Sequence, residues 1–137
     1  MEGTMKVAIW IFAVLAMLGL VWGLSQFIAG ESGEVVVLTT RDDLAEAIQT
    51  RIWVVDFEGR QWIRAGSSMA GWYGRLTAHP DIQLARHAVT KRYTAVPAPE
   101  KRAEINRLML AKYGWADRYI GFYFPRDNAI PVRLDPR

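Results

Sequence analysis

Gln61-Trp-Ile-Arg-Ala-Gly-Ser-Ser-Met-Ala-Gly-Trp-Tyr-Gly-Arg-Leu-Thr-Ala-His-Pro-Asp-Ile-Gln-Leu84 is the stretch that decides the fold. It reads as strand, small-residue loop, short helix, turn and strand. The loop Gly66-Ser-Ser-Met-Ala-Gly71 sets glycines and two serines just ahead of a helix start at Trp72. Glycine lets a backbone approach a ligand closely. Serine hydroxyls and helix N-terminal N–H groups can hold the oxygens of a phosphate. Arg64 stands on the strand leading in and Arg51 on the strand predicted to pair with it, so the two could supply countercharge. A polar loop beside surface arginines fits the same residues, and on residue types alone it is the commoner arrangement.

Working outward, residues 52–57 (Ile-Trp-Val-Val-Asp-Phe) form a strand, Glu58-Gly59-Arg60 a tight turn, and residues 61–65 the returning partner. Residues 82–87 and 89–96 read as a second hairpin. Upstream, the β-branched run 35–40 is a strand that Asp42-Asp43 breaks. Residues 44–49 carry helical propensity, yet a turn followed by an extended lead into Thr50 would make a hairpin, which is the preferred reading. Downstream, Pro97 and Pro99 end sheet pairing, and a helix begins at Pro99 or Glu100. Ile105, Leu108, Met109 and Lys112 form its largely apolar stripe, and Gly114 closes it. Residues 115–124 are aromatic and fit a second short helix, and residues 129–134 a last strand. Five or six strands with a helix after the second hairpin predict a small barrel rather than a parallel α/β sheet.

The N-terminus does not belong to that barrel. Residues 7–24 are eighteen residues without a charged or strongly polar group, and only Ser25 and Gln26 interrupt the apolar character before Gly30. At about 1.5 Å per residue, ~20 residues cross the ~30 Å hydrocarbon core. Trp10 and Trp22 lie toward the two ends, where interfacial tryptophans are common. A cleaved signal peptide is the competing reading, with Lys6 as its basic start and Ile28-Ala29-Gly30 offering small residues. The run exceeds the usual ~7–15 apolar residues and no A-x-A site follows, so an uncleaved single-pass anchor is preferred. A buried soluble helix is disfavoured because no polar face exists. The chain divides into a transmembrane anchor (1–30), a polar linker (31–34) and one globular domain (35–137). Lys6 precedes the span, while Glu31 and Glu34 follow it and no basic residue appears before Arg41. The positive-inside rule leans toward a cytoplasmic N-terminus and an outside domain.

Composition excludes several functions. Seventeen Lys and Arg against fourteen Asp and Glu give a net charge of +3. The signs are interspersed with no basic block, which argues against nucleic-acid binding. No cysteine is present, so disulfides, thiol nucleophiles and zinc–thiolate sites are excluded. His79 sits in a turn-like Ala-His-Pro-Asp and His87 at a strand end, without a third ligand at metal spacing. No nucleophile–histidine–acid set or strained elbow appears, which disfavours hydrolase chemistry. The adjacent Asp42 and Asp43 read as turn residues. Trp53, Trp62, Trp72 and Trp115 are many for one small domain. Most should be core, while one or two could wall a flat aromatic ligand.

Residues 50–65 resemble the second and third strands of the pyridoxamine-phosphate-oxidase-like split barrels: an apolar strand, a turn with glycine, and a strand ending at a phosphate-binding loop. Trp72-Tyr-Gly-Arg-Leu-Thr-Ala-His-Pro-Asp-Ile-Gln-Leu84 is similar to the W-Y-x-N-L-x-A-N-P-x-V-x-V segment of the deazaflavin-dependent nitroreductases and quinone reductases of that superfamily. The likeness continues through Tyr93-Thr-Ala-Val-Pro-Ala-Pro-Glu100 and Lys112-Tyr-Gly-Trp-Ala116. It implies a six-stranded split β-barrel, usually a homodimer; with the apolar N-terminal segment, the expected fold is mainly β with helices (α+β), an N-terminal transmembrane helix followed by the six-stranded split β-barrel. It also implies FMN or a deazaflavin coenzyme in the groove. Arg51 and Arg64 would lie near the phosphate, Ser67 and Ser68 would hydrogen-bond it, and Trp72 and Tyr73 would flank the site. The leading expectation is a membrane-anchored flavin- or deazaflavin-dependent oxidoreductase acting on a quinone-like or nitro-type acceptor, with the bilayer as a partner. Met69-Ala70 stands where many members carry a basic residue, Gly74-Arg75 replaces a His-Asn or Lys-Asn pair, and the family's basic, glycine-flanked stretch before the second strand is absent from residues 42–49. These departures motivate the alternative of a non-catalytic binding or assembly module that has lost the cofactor. Haem binding, which some split barrels carry out, is a third option resting on His79 or His87.

Overall fold

The computed structural model describes residues 1–137. In chain order the elements are α1 (Glu2–Gly30), β1 (Val35–Arg41), β2 (Ala47–Phe57), β3 (Arg60–Ala65), α2 (Gly71–Ala78), β4 (Asp81–Arg86), β5 (Val89–Pro97), α3 (Arg102–Tyr113), α4 (Trp115–Tyr123) and β6 (Ile130–Pro136). Single 3-10 turns at Pro99–Lys101 and Arg126–Asn128 complete it.

Turn chemistry fixes the hairpins. Glu58 and Gly59 both have positive φ (50° and 71°), as do His87 and Ala88 (50° and 62°). Two consecutive left-handed residues make the primed type of turn, whose twist matches that of the flanking strands. Between β1 and β2, one Asp42 carboxylate oxygen accepts the N–H groups of Leu44 (3.0 Å) and Glu46 (2.9 Å). That local capture outweighs the helical propensity of residues 44–49. β2 is consequently longer than the predicted 52–57, pairing with β1 from Arg41↔Ala47 to Val35↔Trp53.

The strands close into an antiparallel barrel in the order β1-β2-β3-β6-β5-β4. Side chains alternate across it. Val36, Leu38, Val54, Ile63, Ile82, Leu84, Val132 and Leu134 fill the interior. Leu76 of α2 joins this core, with Trp72 and Tyr73 packed against it. α3 covers a second cluster outside the barrel, where Ile105, Met109 and Tyr113 meet Val55 and Trp62. Ile105 and Met109 are the apolar stripe expected from sequence. Gly114 ends α3 at φ 56° and turns the chain into α4.

α1 is long and apolar enough to cross a membrane, with a mean hydropathy of 2.5 over its most apolar stretch, none of it buried by protein. Only its C-terminal end touches the barrel domain. The Ser25 hydroxyl meets the Tyr119 hydroxyl at 2.6 Å, Trp22 contacts Tyr123 edge-on at 5.7 Å, and the Trp53 indole N–H donates to the Gly30 carbonyl at 2.8 Å.

The polar residues between α1 and β1 are tied down. Arg51 donates to the Glu31 carboxylate at 2.8 and 2.5 Å. The Glu34 carboxylate accepts from Arg86 (2.9 Å twice) and from Lys112 (2.6 Å). The Tyr113 hydroxyl donates to the Glu34 carbonyl (2.6 Å) and accepts the Val54 N–H (3.0 Å). Gly33 holds φ 77° against the Tyr113 ring, where a Cβ would lie 3.0 Å from a ring carbon.

Candidate functional site

Between β2, β3, α4 and the end of α1 lies a pocket of about 240 Å³. Arg51, Arg64 and Arg126 are among its lining residues, and no Asp or Glu is. Its apolar walls are Ile52, Trp53, Met109, Ile120 and Phe124, while Gly30 and Gly66 leave backbone open to it. A concave apolar wall with a few convergent polar groups is the general form of a ligand site.

Local structure explains each placement. Arg64 sits opposite Pro131 near the end of β3 and is only 8% exposed. It donates to Asn106 Oδ1 of α3 at 3.1 Å and to Asp117 Oδ1 of α4. The turn at Gly114 aims the first turn of α4 inward, so Ala116 and Asp117 are buried. Asp117 there also faces the positive end of the helix dipole. Arg126 follows α4 and donates to the same Asp117 oxygen at 2.7 Å and to the Asp117 carbonyl at 3.2 Å. Asn106 donates to the Arg126 carbonyl at 3.0 Å, pinning that segment.

The electrostatics leave a surplus cation. One carboxylate serves two guanidiniums, and burial, with Arg64 nearby, lowers the pKa of Arg126. The Arg126 Nε is buried with no hydrogen-bond partner. A buried donor left unsatisfied costs about 1–3 kcal/mol, and this one lies against Gly121, where an added Cβ would be 3.2 Å away. Arg51 is more exposed and is held by Glu31, whose carboxyl this hydrogen bond lowers.

The structure brings together only part of the predicted set. Arg51 and Arg64 share the pocket, joined by Gly66 at the start of the loop. Ser67 spends its hydroxyl inside the loop, accepting the Met69 N–H at 3.2 Å. Ser68 is exposed and does not line the pocket. Trp72 and Tyr73 pack on the barrel core, edge-on to each other at 6.4 Å, and do not wall the pocket. Trp53 is the tryptophan that does, stacked on Tyr113 at 4.2 Å. Sequence reading missed Asn106, Asp117 and Arg126. The available signal was the i, i+1, i+4 set Ala116, Asp117 and Ile120, which puts a carboxylate on the inner face of an aromatic helix.

His79 contacts Asp43 at 3.0 Å and His87 contacts Glu34 at 2.9 Å. They flank opposite ends of β4, about 20 Å apart along the strand, so they cannot serve one metal or haem iron together. A larger depression, about 670 Å³, lies across β3, β5 and β6, and its basic lining residues include Arg60, Lys91, Arg92 and Arg137. All four are exposed, unlike the buried Arg64.

The chain matches no family model and no curated protein. Among solved structures, it is similar to HutZ, the haem storage protein of Vibrio cholerae, at 15% identity and a TM-score of 0.62, covering 80% of this chain and 85% of that one. It is also similar to an F420 reductase at 11% identity and a TM-score of 0.55, covering 78% and 89%. A haem binding protein of Mycobacterium smegmatis aligns at 17% identity and a TM-score of 0.59, covering 82% of this chain but 50% of that one. These likenesses establish the split-barrel fold.

Proposed function

We propose that this chain is a membrane-anchored split-barrel oxidoreductase that holds FMN or a deazaflavin coenzyme by its anionic end and acts on a quinone-like or nitro-type acceptor. The observation that carries the reading is the arginine pocket, where Arg51, Arg64 and Arg126 converge without a carboxylate in the lining and Arg64 and Arg126 share the single carboxylate of Asp117. Such donors fit a phosphate or carboxylate, because charge-assisted bonds to guanidinium are strong and directional. Arg64 and Arg126 would hold the anionic end, and Trp53 and Phe124 would border what extends from it. When bound, the cofactor supplies hydride chemistry, while the protein binds and orients it. The pocket's 240 Å³ is smaller than the ~300–1,000 Å³ of sites that enclose a whole ligand. The ring would therefore lie outside it, against surface that a second protomer of a homodimer would complete. α1 would keep the site beside lipid-soluble acceptors.

A second reading has its own support. Asp117 already engages Arg64 and Arg126, and Trp72 and Tyr73 belong to the core. A tethered barrel without cofactor, serving binding or assembly, needs nothing more.

Visible absorption of the purified full-length protein, followed by titration with FMN and with a deazaflavin coenzyme, separates the two. The proposal expects a flavin-type band or saturable binding, and Arg64→Ala should weaken that binding by about 1–3 kcal/mol. A colourless protein that binds neither refutes the oxidoreductase reading, and a Soret band would replace it with haem binding.

A further inference from the structure

We infer that the C-terminal tip of α4, with Phe122 and Phe124, is seated in the interfacial layer of the bilayer beside the end of α1. The inference rests on α1 being a membrane span and adds a second membrane contact to it.

Depth along α1 places the end of α4. Trp22 lies sixteen residues beyond Lys6, about 24 Å along the helix. With Lys6 at one surface of a ~30 Å hydrocarbon core, Trp22 lies just inside the far boundary and Ser25 lies at it. α4 is fixed to this part of α1 by two contacts. Tyr119 meets Ser25, and Tyr123, one turn later, meets Trp22. α4 therefore runs antiparallel to α1, and its C-terminal end points toward the lipid. Tyr123 shares the depth of Trp22, and its neighbours in sequence cannot lie far from that level.

The exposed side chains at that level are apolar and uncovered. Phe122 is 81% exposed, Phe124 53%, and Phe27 of α1 67%. Single exposed apolar residues are ordinary on soluble proteins. Phe122 meets Tyr123 edge-on at 5.2 Å and Tyr123 meets Trp22, so the aromatic contacts run from α4 onto the apolar span, the pattern of a membrane-facing surface. Arg118 lies on the exposed face one turn above Phe122, the height at which a guanidinium reaches lipid phosphates while its stem covers apolar surface. Gly30, Ile120 and Phe124 also border the arginine pocket, which puts that pocket next to the proposed interfacial contact.

The chain has no cysteine, which permits single-site spin labels on the full-length protein. Leu15→Cys, Phe122→Cys, Phe124→Cys and Leu44→Cys would be labelled in nanodiscs of mixed zwitterionic and anionic phospholipid. Leu15 lies nine residues beyond Lys6, near the middle of the hydrocarbon core. Leu44 lies at the tip of the β1–β2 hairpin, about 23 Å along β1 from the linker. Accessibility to oxygen against a water-soluble nickel complex reports depth. The Leu15 label should read deep, the Phe122 and Phe124 labels interfacial, with oxygen favoured several-fold more than at Leu44, and the Leu44 label aqueous. Phe122 and Phe124 labels that match Leu44 while Leu15 reads deep overturn the seating of α4 and leave the span intact. Phe122 and Phe124 labels shielded from both agents, as against a second copy of the chain, also overturn it. A Leu15 label that reads aqueous removes the span itself, and this inference with it.

Discussion

Asp117→Asn is the perturbation that most directly interrogates the arginine pocket. Asp117 is 4% exposed and is the one carboxylate paired with both Arg64 and Arg126. Asparagine keeps the shape and one acceptor oxygen but removes the charge. Breaking a buried ion pair from one side costs about 3–5 kcal/mol, because the partner charge stays buried and uncompensated. The structure places this case at the lower end. Arg64 retains Asn106 as an acceptor, and the Arg126 side chain, 20% exposed, can turn toward water. A loss of about 3 kcal/mol is expected. With a urea slope of ~1–3 kcal/mol per molar for a domain of this size, the midpoint falls by about 1–3 M. Tryptophan fluorescence of the full-length protein in detergent micelles reads it. The variant also frees a second cation in the pocket, so inorganic phosphate should stabilise it more than the parent protein. Occupancy at a hundredfold excess over the dissociation constant contributes about 2.7 kcal/mol. An unchanged midpoint would refute Asp117 as the buried counterion. Equal phosphate effects on variant and parent would refute anion binding by these arginines.

Three further outcomes are expected at the junction between α1 and the barrel. Hydrogen bonds from Arg86, then from Lys112, lower the Glu34 carboxyl from 4.5 to about 2. A depressed carboxylate stabilises the fold above its unfolded value and loses that contribution as pH falls through its folded value, so the effect lies between about pH 4.5 and 2. Screened by water, it should be about 1–2 kcal/mol, and Glu34→Gln should flatten that part of the stability–pH curve measured by urea unfolding. Gly33→Ala imposes a side chain at φ 77° and 3.0 Å from the Tyr113 ring; about 1–3 kcal/mol should be lost, read as a lower thermal midpoint. Tyr113→Phe removes the donor to the Glu34 carbonyl and the acceptor of the Val54 N–H. It should cost about 1–3 kcal/mol, with the Val54 amide exchanging its hydrogen faster.

The barrel was legible because local and global signals agree there. Glu58-Gly59 closes a primed turn between two apolar strands, and the alternation in residues 82–96 carries through to the observed Ile82↔Tyr93 and Leu84↔Lys91 pairing. Residues 44–49 were ambiguous for a physical reason. Their helix propensity is real, but Asp42 captures two backbone N–H groups ahead of it, and a side-chain bond of that kind competes directly with a helical turn. The pairing order of the strands, with β3 beside β6 and β1 beside β4, depends on contacts between residues far apart in sequence, and no local pattern encodes it.

The site was less legible, and the reason is the barrel's closure. Gly66 to Gly71 has the composition of an anion-binding loop, yet Ser67 satisfies the Met69 N–H and Ser68 lies outside the pocket. The cations instead come from residues 51, 64 and 126, which only closing β6 against β3 and folding α4 back over the outer face can bring together. A basic residue missing at Met69-Ala70 is thus no measure of the pocket's charge, because Arg126 supplies a cation from the opposite side. The tryptophans divide in the same way. Trp72 lies beside the loop in sequence but faces the core, whereas Trp53 lies thirteen residues before the loop and stacks on Tyr113 at the pocket wall. Proximity in sequence identified the strand that carries Arg64. Proximity across the closed sheet decided what Arg64 faces: a single buried carboxylate shared with Arg126, and one guanidinium N–H that no protein atom satisfies.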